Sequence, residues 1–203
     1  LNNMQFNKTF FLKSIVNSFN LEDFIGIEVA LLGYSNSGKS SMINCITNNK
    51  KLARVSKLPG RTRTINFFSI VSDFRLLDFP GYGYSKIDHV TKKLLNKSLF
   101  FYLKNRKCLR GIVILSDIRV AIKSLDLTIL RTLQHKLLPI LLVLTKSDKV
   151  SKQQLTKKLL YINDILLDLN INVTVCSFSK FIKSDIFFIQ NQLYKWYLLY
   201  RCM

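Results

Sequence analysis

The stretch Ile25-Gly26-Ile27-Glu28-Val29-Ala30-Leu31-Leu32 runs straight into Gly33-Tyr34-Ser35-Asn36-Ser37-Gly38-Lys39-Ser40. Its first half is apolar except for Glu28 and carries β-branched side chains at alternate positions, which predicts a buried strand. From about Lys39 to Thr47 the pattern becomes helical. Between strand and helix stands GxxxxGK[ST], a turn whose glycines let main-chain amides curl around phosphate oxygens. The helix N-terminus adds partial positive charge at the same point. Lys39 would reach the β- and γ-phosphates, and the Ser40 hydroxyl would ligate Mg²⁺. The motif specifies a nucleotide and leaves the base open.

Working outward, apolar runs alternate with helical segments along the whole chain. Ile65–Val71 and Phe74–Leu77 read as strands joined at Ser72-Asp73, a connection too short for anything but an antiparallel hairpin. Further strands are expected at Gly111–Leu115, Pro139–Leu144 and Ile171–Cys176. Helices are expected at Val90–Leu103, Leu125–His135, Ser151–Leu169 and Asp185–Tyr200. In the long helix Leu155, Leu159, Leu160, Ile162 and Leu166 fall on or near one face. The pattern predicts an α/β chain: a three-layer P-loop NTPase domain with a mostly parallel sheet, one antiparallel edge strand and helices on both faces. Residues 25–203 would form this domain, with residues 1–24 an N-terminal extension packed on it.

Asp78-Phe79-Pro80-Gly81 follows the second hairpin strand. A carboxylate at the end of a buried strand is costly unless a cation or hydrogen bonds compensate it. Beside a phosphate loop it reads as a metal-positioning group. Thr145-Lys146-Ser147-Asp148 follows the strand Pro139–Leu144. Guanine presents N1–H and N2–H₂ side by side, so Asp148 can accept both, whereas adenine would leave that charge unpaired. The stem of Lys146 would lie along the base plane. Cys176-Ser177-Phe178 could offer a backbone amide to guanine O6.

At 203 residues there is room for one domain, and 48% hydrophobic content can build its core. The formal net charge of +19 suits a polyanionic partner. The 22 Lys against 9 Arg, with abundant Asn, Ile and Phe, equally fit codon drift in an AT-rich genome. No acid occurs between Glu28 and Asp73, or between Asp88 and Asp117, and each span holds seven Lys or Arg residues. Cys45, Cys108, Cys176 and Cys202 form no CxxC pair, and His89 and His135 are isolated, which argues against disulfides and a zinc site. No apolar run reaches the ~20 residues of a membrane span. The amphipathic stretch Phe6–Phe19 lacks a signal-peptide core. A cytoplasmic monomer that does not use DNA is expected.

Taken together, GYSNSGKSSMIN, KKLARVSKLPGRTRTINFF, LLDFPGYGYSK, GIVILSDIR, LDLTIL, LLVLTKSDK and the late Trp196 resemble the EngB (YihA/YsxC) family of GTPases in the translation-factor-related class. The resemblance runs unbroken over residues 26 to 196. It implies a Mg²⁺-dependent GTP/GDP switch that assists large ribosomal subunit assembly, with the subunit precursor and rRNA as partners, and that normal cell division and septation require. By position it implies Ser40 and Thr62 as Mg²⁺ ligands and Gly60-Arg61-Thr62-Arg63-Thr64 as the first switch loop. The second switch would begin at Asp78. In potassium-activated relatives an Asn in the place of Asn36 helps hold K⁺ near the phosphates. Cys176-Ser177-Phe178 departs from the family's Phe-Ser-Ser.

Ras-like enzymes orient the attacking water with a Gln after DxxG, and Tyr82 occupies that place here. No motif side chain replaces the Gln, so the catalytic group is left unassigned, and slow hydrolysis stimulated by a ribosomal partner is expected. Three alternatives stay open: a P-loop ATPase or small-molecule kinase, a nucleotide-stabilised RNA scaffold without hydrolysis, and a membrane-associated division protein.

Overall fold

The computed structural model describes residues 4–55, 64–83 and 88–201. Among the described residues, seven strands form one sheet: β1 (Phe10–Ile15), β2 (Ile27–Gly33), β3 (Ile65–Val71), β4 (Phe74–Asp78), β5 (Leu109–Asp117), β6 (Ile140–Thr145) and β7 (Thr174–Phe178). Their spatial order is β1-β3-β4-β2-β5-β6-β7. Strand β2 pairs in parallel with β4 and β5, and β5, β6 and β7 continue in parallel. Strand β3 runs antiparallel to both β4 and β1. Five α-helices among the described residues cover the sheet: α1 (Lys39–Ile46), α2 (His89–Asn105), α3 (Ser124–Leu133), α4 (Lys152–Asp168) and α5 (Lys183–Arg201).

Alternation along each central strand sends side chains to two separate cores. Ala30, Leu32, Ile112, Ile114, Leu142 and Leu144 meet Leu99 and Tyr102 of α2, Ile129 and Leu130 of α3, and Ile162 of α4. Val29, Leu31, Val113, Leu115, Leu141 and Val143 meet Met42 and Ile43 of α1 and Leu193 and Trp196 of α5. Gly111 is what admits Trp196, since a Cβ there would lie 2.4 Å from the indole. At the amino end of β2, the fully buried Glu28 accepts two bonds from Arg106 (2.9 and 2.8 Å) and one from the Tyr102 hydroxyl (2.8 Å). That cluster ties the start of the central strand to the end of α2 and leaves no lone buried charge.

Two details differ from the sequence reading. Residues 10–15, for which the sequence predicts no strand, add one at the sheet edge, pairing Phe10 with Ser69 and Ile15 with Ile65. A register shift between Phe11 and Lys13 explains why FFLKSI lacks the alternation that marks a strand. The chain then crosses to α2, where Ser18 bonds the Ser98 carbonyl (2.6 Å). On α4, Ile162 and Leu166 are buried while Leu160 is 60% exposed. The 155–159–162–166 spacing closes one stripe, and Leu160 stands a further 100° round the helix.

The parallel register brings the carboxyl ends of β2, β4, β5, β6 and β7 to one rim. Leu31 faces Asp78, Asp117 faces Thr145, and Thr145 faces Phe178. Ligands of open parallel sheets bind outside such a rim.

Candidate functional site

At the end of β2 the backbone turns left-handed at Gly33 (φ 149°) and again at Gly38 (φ 101°), immediately before α1. A Cβ at Gly33 would sit 2.4 Å from the Leu115 carbonyl, so only glycine fits the first turn. Lys39 folds back into the loop it follows. Its ammonium donates to the Gly33 carbonyl at 3.0 Å and the Tyr34 carbonyl at 3.4 Å. Burial lowers its pKa, against the opposing pull of Asp78 and Asp126.

Asp78 ends β4 and is buried. Its Oδ2 accepts from the Ser40 hydroxyl at 3.3 Å, while Oδ1 has no hydrogen-bond partner among the described residues. Burial pushes its carboxyl up to about 6, against the pull of Lys39 and Ser40. An orphaned buried carboxylate oxygen beside a hydroxyl is a hard oxygen pair, and it fits Mg²⁺. Among the described residues no cluster of three His, Cys, Asp or Glu could hold a metal. Gly60, Arg61, Thr62 and Arg63 lie outside the described residues; the Thr64 hydroxyl bonds Asn66 Oδ1 at 3.2 Å.

The chain after Asp78 runs against the phosphate loop. A Cβ on Gly81 would stand 2.8 Å from Ser35 Cα and 3.1 Å from Lys39 Nζ. Ser35 N donates to the Tyr82 carbonyl (3.0 Å) and Tyr82 N to the Gly33 carbonyl (3.3 Å). Phe79 is buried in the core with Tyr102 and Pro80 follows it. The Tyr82 ring packs edge-on to Tyr34 (4.7 Å), and its hydroxyl donates to the buried Asp126 at 2.5 Å. Asp126 also accepts from Lys123 N at the start of α3 (3.1 Å), and the Tyr34 hydroxyl accepts from Leu125 N (3.3 Å). Tyr82, which stands where Ras-like enzymes have Gln, is therefore engaged with α3.

On the other side, the Thr145 hydroxyl donates to the Ser37 carbonyl at 2.6 Å, joining the end of β6 to the phosphate loop. Lys146 has a left-handed backbone (φ 61°), and its ammonium reaches the Asn36 carbonyl and Asp117 Oδ2, each at 2.9 Å. Asn36 is itself left-handed (φ 61°). Ser147 and Asp148 form a single 3₁₀ turn, and Asp148 accepts from Ser179 Oγ (2.9 Å) and pairs with Lys149 (3.3 Å). Burial raises the Asp148 carboxyl, but the bonds from Ser179 and Lys149 outweigh it, leaving the group below the ordinary carboxylate range.

Cys176, Ser177 and Phe178 all lie within β7. Strand β7 begins at Thr174 and ends at Phe178, three residues later than Ile171 at its start and two later than Cys176 at its end. Cys176 and Phe178 belong to the α1/α5 core. The side chain that reaches the base loop is Ser179, fully buried and with its amide bonded to Asp185 (2.8 Å). Phe178-Ser179 therefore supplies the Phe-Ser pair that seemed absent. Ser179, Asp117 and the Tyr82–Asp126 pair escaped the sequence reading. Only the position of Ser179 just beyond a strand end could have signalled it.

Known proteins match this arrangement. The sequence model of the family described as "50S ribosome-binding GTPase" matches residues 28–146. The chain is 45% identical over 192 residues to the probable GTP-binding protein EngB of Buchnera aphidicola subsp. Baizongia pistaciae, covering 95% of this chain and 84% of that one. It is 40% identical over 194 residues to the protein of the same name from Mannheimia succiniciproducens, covering 96% and 95%. A crystal structure of a probable GTP-binding protein engB superposes with a TM-score of 0.66 at 19% identity, over 83% of this chain and 97% of that one. Era, solved with MgGDPNP and a segment of 16S ribosomal RNA, superposes with a TM-score of 0.63 at 18% identity, over 86% and 57%. At such identities the superpositions speak for the fold alone.

Proposed function

The chain belongs to the EngB family of GTP-binding proteins, and from that premise we propose that it is a Mg²⁺-dependent GTP/GDP switch acting in large ribosomal subunit assembly. The single observation that carries the nucleotide reading is the buried Asp78 carboxylate, one oxygen on the Ser40 hydroxyl and the other without a partner among the described residues, with Lys39 folded onto the loop carbonyls. These groups suit a triphosphate and its cation, and a structural turn would have no use for them.

Gly33, Tyr34, Ser35, Asn36, Ser37, Gly38, Lys39 and Ser40 cradle the phosphates, and Lys39 leaves its carbonyl partners for the β- and γ-oxygens. Ser40, with Thr62, would hold Mg²⁺, and Asp78 would orient the ion's shell. Bound Mg²⁺ would neutralise charge developing on the phosphate oxygens. Thr145, Lys146, Ser147 and Asp148 read guanine, with Asp148 held in place by Ser179. Gly60–Thr64 and Asp78–Gly81 respond to the γ-phosphate, because Thr62 and the Gly81 amide have a ligand there only before hydrolysis. Hydrolysis is slow without a partner, since the Tyr82 hydroxyl is spent on Asp126. K⁺ beside Asn36 is part of the same proposal.

The two acid-free basic spans flank or follow the switches, which suits an rRNA-facing surface whose shape depends on nucleotide. The matched family's description names the 50S ribosome. Action as a cytoplasmic monomer follows, with cell division and septation depending on the ribosome supply it supports. Among the described residues no helix is long and apolar enough to cross a membrane. Co-sedimentation with large ribosomal subunits tests the role: retention with a non-hydrolysable GTP analogue and release with GDP is expected. Equal retention in both states contradicts a switch.

The Tyr82–Asp126 bond also favours a second reading, a nucleotide-stabilised RNA scaffold with negligible hydrolysis. Single-turnover hydrolysis with and without large subunits separates the two. Acceleration by the subunits supports the GTPase, and an unchanged, vanishing rate supports the scaffold.

A further inference from the structure

Asp117 closes β5 opposite Thr145, one residue before the lysine of the base loop. It has no place in the phosphate or guanine motifs. Its Oδ2 nevertheless lies 2.9 Å from Lys146 Nζ, which bonds the Asn36 carbonyl at the same distance. The carboxylate is clamped in turn. Arg119 Nε reaches Oδ1 at 2.9 Å, Arg119 NH2 reaches Oδ2 at 2.6 Å, and the Arg119 amide donates to Oδ1 at 3.0 Å. Lys158 of α4 caps the arrangement by donating to the Arg119 carbonyl at 3.1 Å.

We propose that Asp117 is a positioning residue for nucleotide binding: its carboxylate stretches Lys146 across the base pocket and holds the lysine stem where the purine face will lie. The proposal deepens the guanine-binding reading and rests on it.

A free lysine loses much rotamer freedom when a ligand orders it. Here the ordering is done beforehand. Two of the three ammonium protons are taken, by a main-chain carbonyl on one loop and by Asp117 on the neighbouring strand end. With both ends of the side chain fixed, the four-carbon stem becomes a wall of the pocket. Arg119 matters because it keeps the carboxylate planar and still, as a bidentate guanidinium does. Burial pushes the Asp117 carboxyl up, yet the Arg119 and Lys146 bonds overcome this and hold it well below the usual range. The clamp is therefore charged at all working pH values, and it is a fixed device rather than a pH switch.

The test is a double-mutant cycle on the full chain, with GDP and GTP affinities measured separately in the presence of Mg²⁺. Asp117→Asn keeps the shape and removes the charge. It is expected to weaken GDP and GTP by the same factor, about tenfold, because the loss falls on the base they share. In a Lys146→Met background the same substitution is expected to change affinity less than twofold. A merely structural Asp117 would give the same loss with and without Lys146, and that result overturns the proposal. So does wild-type affinity in Asp117→Asn. If Asp117→Asn does not fold, judged by melting without nucleotide, Asp117→Glu goes through the same cycle. It displaces the oxygens by one methylene, and its loss must likewise vanish without Lys146. Failure of the unaltered chain to bind any guanine nucleotide would overturn both this proposal and the reading beneath it, whereas intact binding with additive variants overturns this one alone.

Discussion

The two halves of the nucleotide rim are built on opposite principles. On the base side the polar groups are already satisfied: Lys146 by Asn36 and Asp117, Asp148 by Ser179 and Lys149, Thr145 by Ser37. On the phosphate side Asp78 keeps a buried oxygen without a partner among the described residues, and Lys39 is buried against carbonyls of its own loop. A purine edge brings hydrogen bonds but little charge, so its reader can be complete in advance. A triphosphate with its cation brings large charges of both signs, and the groups that meet them carry a standing cost until it arrives. Binding should therefore stabilise the phosphate side most, by linkage.

The sharpest break of this contrast is Lys39→Met. Losing a charge-assisted contact to the β- and γ-phosphates should weaken GTP on the order of 1,000-fold. The nucleotide-free chain should melt no lower than the wild type, because a desolvated ammonium has gone. Titration calorimetry and thermal melting check both halves, and a matching fall in stability would mean that Lys39 is structural.

Asp78→Asn comes next. Folding raises the Asp78 carboxyl from 3.8 to about 6, so the protonated form is favoured in the folded chain. Its contribution is most favourable below pH 4 and is lost as pH rises through 6, a cost of about 3 kcal/mol above that. Without nucleotide, Asp78→Asn should therefore gain up to about that much stability at pH 8 and almost nothing at pH 4. Denaturant unfolding across that range measures it. Mg²⁺-dependent strengthening of nucleotide binding should disappear in the same variant.

The base side answers differently. Asp148→Asn should cost guanine nucleotides about 100-fold while leaving the GTP-to-GDP affinity ratio unchanged. Xanthine nucleotides should gain, because an amide donor would then face their C2 carbonyl. Competition binding with the four nucleotides reads this out. A changed GTP-to-GDP ratio would show the two halves to be coupled rather than separate.

What the sequence disclosed follows the same line. Gly33–Ser40, Asp78 and Thr145–Asp148 were legible because each does its work within a few consecutive residues at a strand end. The supporting contacts were not. Ser179 meets Asp148 from 31 residues away, Asp117 meets Lys146 from 29, and Tyr82 meets Asp126 from 44. Such pairs come together only through parallel register and through loops that no periodicity describes. Strand β1 was hidden for a related reason, since an irregular edge pairing needs no clean alternation. Strand β7 ends at Phe178, two residues beyond the end its apolar run suggests, so nothing in the sequence marks Ser179 as the residue that follows it.

The central claim is that this rim grips a guanine nucleotide with its magnesium ion. Calorimetric titration of the purified, nucleotide-free chain with GDP and with ADP, each with and without Mg²⁺, tests it most directly. Tight GDP binding strengthened by Mg²⁺, with ADP weaker by at least about 100-fold, is the predicted result. Equal affinity for the two purines, or no binding of either, would contradict it.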